Sequence, residues 1–388
     1  MDITKFKYYL FILPVIVCWA CSSTEQDDEP EQLTGEVVPK LYVAANKPLS
    51  AAEPLANEDE NMIIESFDSN SILYFSQLGT TLTPNFSNFD ETAQPYCYQY
   101  QYSPEVGANW DKGYNFKCKK SCKPFDWTLV PQLGSVGNTF SFFAMYFPGD
   151  NEVKWKVQAD QSDKANFIRS DIMGAYHATS SLYTRLRFNL FHLMVYLKVT
   201  IYVPTHKDSD VNNNFSYSGF NEDALIGAYV LNANTQFDID WLAVRSSDKM
   251  APLTQSVDSK ENIKMYTHSY TGETIKINVR DYYNGGSITE DDVRAYTFSV
   301  IFPSQAFNDN FLCFALKDVD NSTRYFYFSG SQIVGDSGNY SLSQGTLQEL
   351  TLYLPRNSNE TILVGANILP WKDSLTDMTV SKDPVGRD

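Results

Sequence analysis

The sequence has few of the residues on which enzymes and metalloproteins depend most. It has 4 histidines in 388 residues, too few and too scattered for a standard zinc set, and none has the HExxH spacing. A Walker A loop is lacking, and so is the strand, glycine turn and helix of a dinucleotide site. No acid/base pair stands out among the 47 acidic residues. The sequence therefore predicts no enzymatic activity, no cofactor and no metal.

Basic residues are also scarce. Lysine and arginine number 30, which gives a net charge of -17 and a sequence pI of about 4.6. Since no basic stripe offsets this acidity, we expect no nucleic-acid partner.

The apolar run at the N-terminus is too short to span a bilayer. Residues 8–20 form a run of 13 residues behind two lysines, whereas a spanning helix needs about 20. Its length and flanks are typical of a signal-peptide core. The following Ala20-Cys21-Ser22 resembles a bacterial lipoprotein cleavage site, which would make Cys21 the lipid attachment residue. An ordinary secretory signal cut elsewhere is the alternative.

Long helical patterns are hard to find, and aromatic residues make up 14% of the chain, which favours β-sheet. In the central stretch, residues 182–203, Leu186, Phe188 and Leu190 alternate with polar residues as in a half-buried strand. After His192 the apolar positions shift by one, which predicts a bulge or a short turn there. We interpret this stretch as the central strand pair of one β domain.

The chain divides into four predicted segments. Residues 1–20 are the signal peptide, and 21–61 are an acidic tether that contains a possible N-terminal pro-strand. Residues 62–204 and 215–388 each carry short alternating strands separated by turn residues, the pattern of a β-sandwich, and the polar residues 205–214 separate them. The predicted fold class is all-β, with two β-sandwich domains in tandem.

Most candidate chemical sites have simpler explanations. His192 interrupts an apolar face and is best explained as a core histidine. Gly335-Asp336-Ser337-Gly338 matches a serine protease tetrapeptide but lacks a matching histidine upstream, so a turn explains it.

Four cysteines remain after Cys18 and Cys21. An oxidising compartment would allow one disulfide among Cys97, Cys118 and Cys122, with the pairing open, and Cys313 is expected to be a buried thiol.

The tyrosine-rich run from Tyr96 to Tyr114 has two explanations. Its rings suit stacking on sugars, but aromatic cross-strand pairs in a sheet produce the same pattern, and we favour the sheet.

Several motifs in order resemble the fimbrillin family of Bacteroidetes, the Mfa-like and FimA-like subunits of type V pili. The resemblance extends over most of the mature chain. It rests on the lipoprotein site at Cys21, the segment Phe140 to Pro148, Asp160-Gln161-Ser162, Ser170-Asp171-Ile172-Met173, Leu186-Arg187-Phe188 followed by His192 to Leu197, and Pro370-Trp371.

The resemblance implies two transthyretin-like sandwiches and assembly by strand exchange with other fimbrial subunits. In the family, a protease removes an N-terminal strand from a groove, and a C-terminal strand of the next subunit replaces it by β-augmentation. Candidate donor strands here are the alternating Ile362, Val364, Ala366 and Ile368, or residues 375–380. Both could equally be permanent strands of their own domain.

Arginine-directed maturation, the best-known route in the family, does not fit this chain because its first arginine is Arg169. Cleavage would have to follow Lys40 or Lys47, or the lipidated N-terminus stays on. We therefore predict an outer-membrane, surface-exposed fimbrial subunit, or an anchor or accessory adhesin, with a glycan or protein as ligand. The alternative is a glycan-binding outer-membrane lipoprotein.

Overall fold

The computed structural model describes residues 41–45, 67, 69–79, 84, 86, 96–102, 114–119, 125–127, 129, 131, 139–149, 153–180, 186–206, 219–241, 253–255, 259–268, 270, 272–281, 287–318, 320–335, 339–355, 359, 361–370 and 378–380. All of them fall within one compact unit, Val38–Asp388.

Seven described strands of the N-terminal half close into a barrel in the order β1-β4-β3-β2-β5-β6-β7. Neighbouring strands are antiparallel except β7 and β1, which are parallel and complete the closure. The strands are β1 (Leu41–Ala45), β2 (Ile72–Leu78), β3 (Tyr98–Tyr102), β4 (Tyr114–Cys118), β5 (Phe140–Tyr146), β6 (Met173–Thr179) and β7 (Arg187–His192).

Aromatic side chains fill the barrel. Phe75 on β2 lies near its centre, with ring centroids 5.2 Å from Tyr100 and 5.8 Å from Phe188. Each aromatic ring buries a large apolar area. Strands of only five to seven residues can therefore fill the core of the barrel with few side chains. The fully or almost fully buried members are Phe67, Phe75, Tyr98, Tyr100, Phe116, Phe125, Trp127, Phe142 and Phe188.

The second half of the chain builds a larger sheet around one strand from the middle of the sequence. The strand order is β13-β15-β8-β20-β21-β22, and β14 pairs with the first half of β15. Its strands are β8 (Val195–Pro204), β13 (Tyr266–Thr267), β14 (Thr274–Asp281), β15 (Ser287–Phe302), β20 (Thr346–Tyr353), β21 (Ile362–Pro370) and β22 (Met378–Val380).

A four-stranded sheet, ordered β12-β9-β17-β18, faces this large sheet across a shared apolar core. Phe298 of the large sheet and Phe314 of the smaller one meet with ring centroids 5.9 Å apart. The strands are β9 (Leu225–Asn234), β12 (Lys260–Lys264), β17 (Asn310–Lys317) and β18 (Thr323–Ser329). Two short pairs join β10 (Phe237–Ile239) to β11 (Leu253–Gln255) and β16 (Gln305–Phe307) to β19 (Tyr340–Leu342).

Two short helices occur in the described part of the chain, α1 (Lys164–Arg169) and α2 (Ser331–Val334). Neither they nor any other helix within the described ranges is long and apolar enough to cross a membrane. The all-β class predicted from the sequence is confirmed, and the transthyretin-like topology stays a prediction.

The shift of apolar positions at His192 marks a change of sheet. β7 ends at His192, buried Leu193 and Met194 follow, and β8 starts at Val195 in the large sheet. The two strands do not pair with each other, so the prediction of a central strand pair is wrong, whereas the division into domains stays a prediction. The alternation on either side of the shift is real, but each half faces a different core.

The proposed domain boundary at residues 205–214 stays a prediction, and the pairing of β8 bears on it. β8 lies ahead of that boundary, yet its hydrogen-bonding partners are β15 and β20, both of which follow it. An independent domain ending at residue 204 would end on β8, and both strands that pair with β8 would belong to the other domain.

Candidate strand-binding site

The barrel is closed by a short strand, β1, whose two neighbours in the sheet are distant from it in sequence. β1 pairs antiparallel with β4, with Leu41 opposite Phe116, and parallel with β7, with Ala45 opposite Leu190. Residues 46–71 separate β1 from β2, the next strand of the barrel. β1 is the first strand of the barrel and is held by its pairing with β4 and β7. Cleavage of the connection between β1 and β2 would therefore release β1 and leave every other strand of the barrel uncut.

β7 depends on β1 for most of its backbone pairing. Its register with β6 covers His192 and Phe191 alone, whereas four residues from Arg187 to Leu190 lie opposite β1. A backbone N–H or C=O group that loses its partner away from water costs about as much as a lost hydrogen bond. Removal of β1 would therefore leave a slot lined by the two strand edges of β4 and β7.

The floor of this slot is apolar. Leu186, just before β7, and Phe188 and Leu190 within it are fully buried at alternate positions, as the sequence predicted, and Phe116 on β4 is buried too. Phe67 packs edge-on against Phe116 with ring centroids 5.1 Å apart. A strand with alternating apolar residues would fit such a slot, since backbone pairing gives affinity and alternate side chains give register.

The predicted processing and lipidation residues lie outside the described residues. Cys21, Lys40 and Lys47 are all in this class, so their roles stay predictions. In the sequence, Lys40 directly precedes Leu41, and Lys47 follows Ala45 by two positions. Cleavage after Lys40 would leave β1 attached to the barrel, whereas cleavage after Lys47 would separate them.

Arg169 is the last residue of α1, between β5 and β6, and its side chain donates to the carbonyl oxygen of Gly149 at 3.4 Å. Cleavage at this arginine would cut the chain between two paired strands of the barrel.

The first candidate donor segment forms β21, in the interior of the large sheet between β20 and β22. Its register with β20 shifts at Val364, so Leu363 and Ala366 are buried while Val364 is exposed. The alternation of Ile362, Val364, Ala366 and Ile368 is thus broken by a bulge. β22, within the second candidate segment, pairs three residues with β21 at the sheet edge. The donor role of either segment stays a prediction.

The tyrosines considered for sugar stacking are largely inside the barrel. Tyr96, Tyr98 and Tyr100 are buried, and Tyr98 stacks on Phe75 with ring centroids 5.0 Å apart. The Tyr100 hydroxyl accepts a hydrogen bond from the N–H of Phe125 at 3.0 Å. Burial raises the pKa of both Tyr98 and Tyr100. The aromatic cross-strand explanation is confirmed for Tyr98 and Tyr100, whose rings both contact Phe75 on β2, whereas Tyr96 precedes β3 and packs on Tyr98.

The structure leaves the predicted disulfide open. Cys97 is buried just before β3, Cys118 ends β4, and Cys122 lies outside the described residues. Each described thiol contacts the backbone next to it, Cys97 at the carbonyl of Tyr98 and Cys118 at that of Lys119. Cys313 is buried on β17, as predicted, and burial raises its pKa to about 11.

Two histidines in the described part of the chain have short contacts with buried polar side chains. His192 is 1% exposed, and its Nδ1 lies 2.7 Å from a carboxylate oxygen of Asp171, which confirms the prediction of a core histidine. His268 Nε2 lies 2.7 Å from the hydroxyl of Ser299, a pair that the sequence did not suggest. Ser299 is fully buried, and its hydroxyl also lies 3.1 Å from that of Tyr196. Residues 336–338 of the Gly-Asp-Ser-Gly motif lie outside the described ranges.

Sequence comparisons with family models and with curated proteins find no match. A candidate cell adhesion protein from Bacteroides uniformis is 11% identical over 86% of this chain and 99% of its own, with a TM-score of 0.45. The tip fimbrial protein Mfa3 from Porphyromonas gingivalis is 8% identical over 86% of this chain and 100% of its own, with a TM-score of 0.37.

A third solved structure, of candidate polysaccharide binding proteins from Bacteroides thetaiotaomicron, is 7% identical. It covers 87% of this chain and 98% of its own, with a TM-score of 0.37. Solved structures similar to this chain thus include candidate cell adhesion proteins and fimbrial proteins.

Proposed function

We propose that this chain is a non-enzymatic cell-surface fimbrial subunit, and that the position of β1 is its strand-exchange slot. The pairing of β1 carries the proposal. A strand of five residues, distant in sequence from its partners, completes a barrel whose floor is apolar. Such a strand can be replaced by an equivalent strand from another subunit, because both alternatives satisfy the same backbone groups.

The lack of an arginine near β1 favours a subunit that keeps its own N-terminal strand. No arginine precedes Arg169, and cleavage there would cut the barrel between β5 and β6. With Cys21 lipidated and the tether intact, β1 fills the slot and excludes a donor. We therefore propose an anchor or accessory subunit at the outer membrane, which ends a series of strand exchanges and contributes to attachment.

The position of the mature N-terminus tests this proposal. Intact-mass and N-terminal analysis of protein recovered from cells, with gel electrophoresis after mild heating, should find a lipidated Cys21 and no SDS-resistant ladder. A free N-terminus at residue 48 with a ladder would contradict the retained strand and indicate a stalk subunit. A trimmed N-terminus at residue 48 without any ladder would contradict strand exchange itself.

A further inference from the structure

An open cleft of about 530 Å³ lies beside the β17–β18 hairpin, far along the chain from the strand slot. β18 is the edge strand of the four-stranded sheet, and residue 359 from the connection after β20 runs alongside it. The cleft combines carboxylates, an amide, hydroxyls and aromatic rings. The lining residues that matter for binding are Asp318, Asp320, Arg324, Tyr325, Tyr327 and Asn359.

Two tyrosines on β18 form the apolar part of the cleft. Tyr325 and Tyr327 are two positions apart and so lie on the same outer face of the strand, and Tyr325 is 47% exposed. Their cross-strand neighbours on β17 are small, Ala315 opposite Tyr325 and Cys313 opposite Tyr327. The outer face therefore presents aromatic surface above small side chains.

The polar part of the cleft is organised by Arg324. This side chain is 9% exposed, and its guanidinium carbon lies 5.3 Å and 4.8 Å from the ring centroids of Phe220 and Phe326. One Nη donates to the amide oxygen of Asn359 at 3.3 Å, and the other lies 3.7 Å from a carboxylate oxygen of Asp318. A buried guanidinium packed against two aromatic rings thus positions both an amide and a carboxylate at the rim before any ligand arrives.

The hairpin turn supplies a second carboxylate. Asp320 accepts a hydrogen bond from the N–H of Ser322 at 2.8 Å, and Asn321 adopts a left-handed conformation with φ of 68°. Asn321 N–H donates back to the carbonyl oxygen of Asp318 at 3.0 Å, which makes the turn tight. Asp320 is exposed at this turn and faces solvent.

We propose that this cleft binds a neutral oligosaccharide. The C–H face of a hexose ring would stack on Tyr325, a rigid amphipathic surface that loses little conformational entropy on binding. The sugar hydroxyls would donate to Asp318 and Asp320 and accept from the amide nitrogen of Asn359, the branch that faces away from Arg324. The lining has two carboxylates, Asp318 and Asp320, and one guanidinium, Arg324, which already pairs with Asp318. The remaining negative charge would repel an anionic sugar.

This inference is independent of strand exchange. The cleft is lined by the turn between β17 and β18, by β18 itself and by residue 359, and neither strand of this hairpin belongs to the barrel or pairs with β1. A carbohydrate site here would give a subunit that carries its own attachment surface, whether its N-terminal strand stays or leaves.

Calorimetric titration of the full-length mature chain tests the proposal. The probes are neutral hexaoses of glucose, mannose and galactose, with 3′-sialyllactose as an anionic comparison. We expect saturable binding of a neutral hexaose, roughly tenfold weaker in Tyr325→Ala and close to wild type in Tyr325→Phe, which keeps the ring. Asn359→Ala should also weaken binding, because it removes the amide donor and leaves the sheet intact.

Ile275→Ala is the matched control, because Ile275 is an exposed apolar residue on β14, outside the cleft. Its binding should equal that of the wild type. The proposal is overturned if no neutral hexaose binds with saturation, if Tyr325→Ala binds as the wild type does, or if sialyllactose binds more tightly than the neutral sugars. Unchanged melting temperatures of the variants would show that the effects arise at the cleft.

Discussion

The tyrosines of this chain couple its stability to alkaline pH. Burial raises the pKa of Tyr98, Tyr100 and Tyr340 well above 10, and that of Tyr296 to about 12. In the unfolded chain the same hydroxyls ionise near pH 10. A group whose folded pKa is raised contributes stability below its unfolded pKa, and this contribution is lost as the pH rises toward the folded pKa.

We therefore predict that the free energy of unfolding is constant with respect to these groups up to about pH 9 and falls steeply above pH 10. Tyrosinate absorbance and far-UV circular dichroism, followed together from pH 8 to 13, should change in one transition for the buried tyrosines. If all tyrosines titrated near pH 10 while the sheet signal persisted, the burial described for these residues would be wrong.

The side chain of Gln161 links the segment before α1 to the large sheet. It is fully buried, its Nε2 donates to the carbonyl oxygen of Ile301 at 2.6 Å, and its Oε1 accepts from the Ile301 N–H at 2.9 Å. Gln161→Leu keeps the volume but leaves both backbone groups without these partners. We expect a loss of about 3 kcal/mol in the free energy of unfolding.

The urea midpoint of unfolding measures this loss. Lys276→Ala is the control, since the Lys276–Glu290 pair at 2.6 Å is exposed on both sides and should leave the midpoint unchanged. An equal midpoint for Gln161→Leu and the wild type would show that the Ile301 backbone groups find other partners.

At the scale of elements, the central stretch shows how far a sequence pattern reaches. The alternation of Leu186, Phe188 and Leu190 predicted a strand buried on one face, and these three side chains are fully buried. The shift at His192 predicted an irregularity, and the strand is interrupted there: β7 ends at His192 and β8 begins at Val195. The pattern could not show that the two halves join different sheets, because burial against either core gives the same period of two.

The pairing of β8 makes a prediction about truncation. A fragment of residues 38–204 would retain β8 without β15 and β20, its partners on both sides. Its buried side chains Val195, Leu197, Val199, Ile201 and Val203 would face water. We expect this fragment to aggregate, whereas a fragment of residues 38–192, which lacks β8, should be markedly more soluble.

Size-exclusion chromatography of the two fragments, expressed and purified in parallel, provides the comparison. A monomeric 38–204 fragment with a sheet-like circular dichroism spectrum would support the boundary predicted at residues 205–214, and would show that β8 can be satisfied within the first half of the chain.

At the scale of the whole molecule, the class of fold was predictable and the site only in part. Aromatic content and short alternating segments were sufficient for the all-β class, because both reflect local fit to a pleated surface. The slot was not visible in the sequence, since it depends on which strands flank β1, and pairing between distant strands leaves no local signal. The bulge at Val364 was not predicted either: Ile362, Val364, Ala366 and Ile368 suggested a regular alternation, although apolar Leu363 interrupts it.

The cleft beside β18 could not be predicted for the same reason. Asp318, Arg324 and Asn359 are distant from one another in sequence or separated by a turn, and no motif connects them. What brings them together is the β17–β18 hairpin and the return of the chain after β20 along the edge of β18, where Tyr327 N–H donates to the carbonyl oxygen of residue 359 at 2.9 Å. The tyrosine run at 96–114 has the more conspicuous sequence pattern, but Tyr96, Tyr98 and Tyr100 are buried.

The most direct test of the account compares two recombinant chains, one of residues 22–388 and one of residues 48–388, which lacks β1. Gel electrophoresis with mild heating should show a monomer for the longer chain and SDS-resistant multimers for the shorter one, and a synthetic peptide of residues 38–47 should suppress those multimers. Hydrogen exchange at Arg187–Leu190 should be faster in the shorter chain before it assembles. A shorter chain that remains monomeric, with unchanged exchange at these residues, would contradict the claim that β1 fills a replaceable slot.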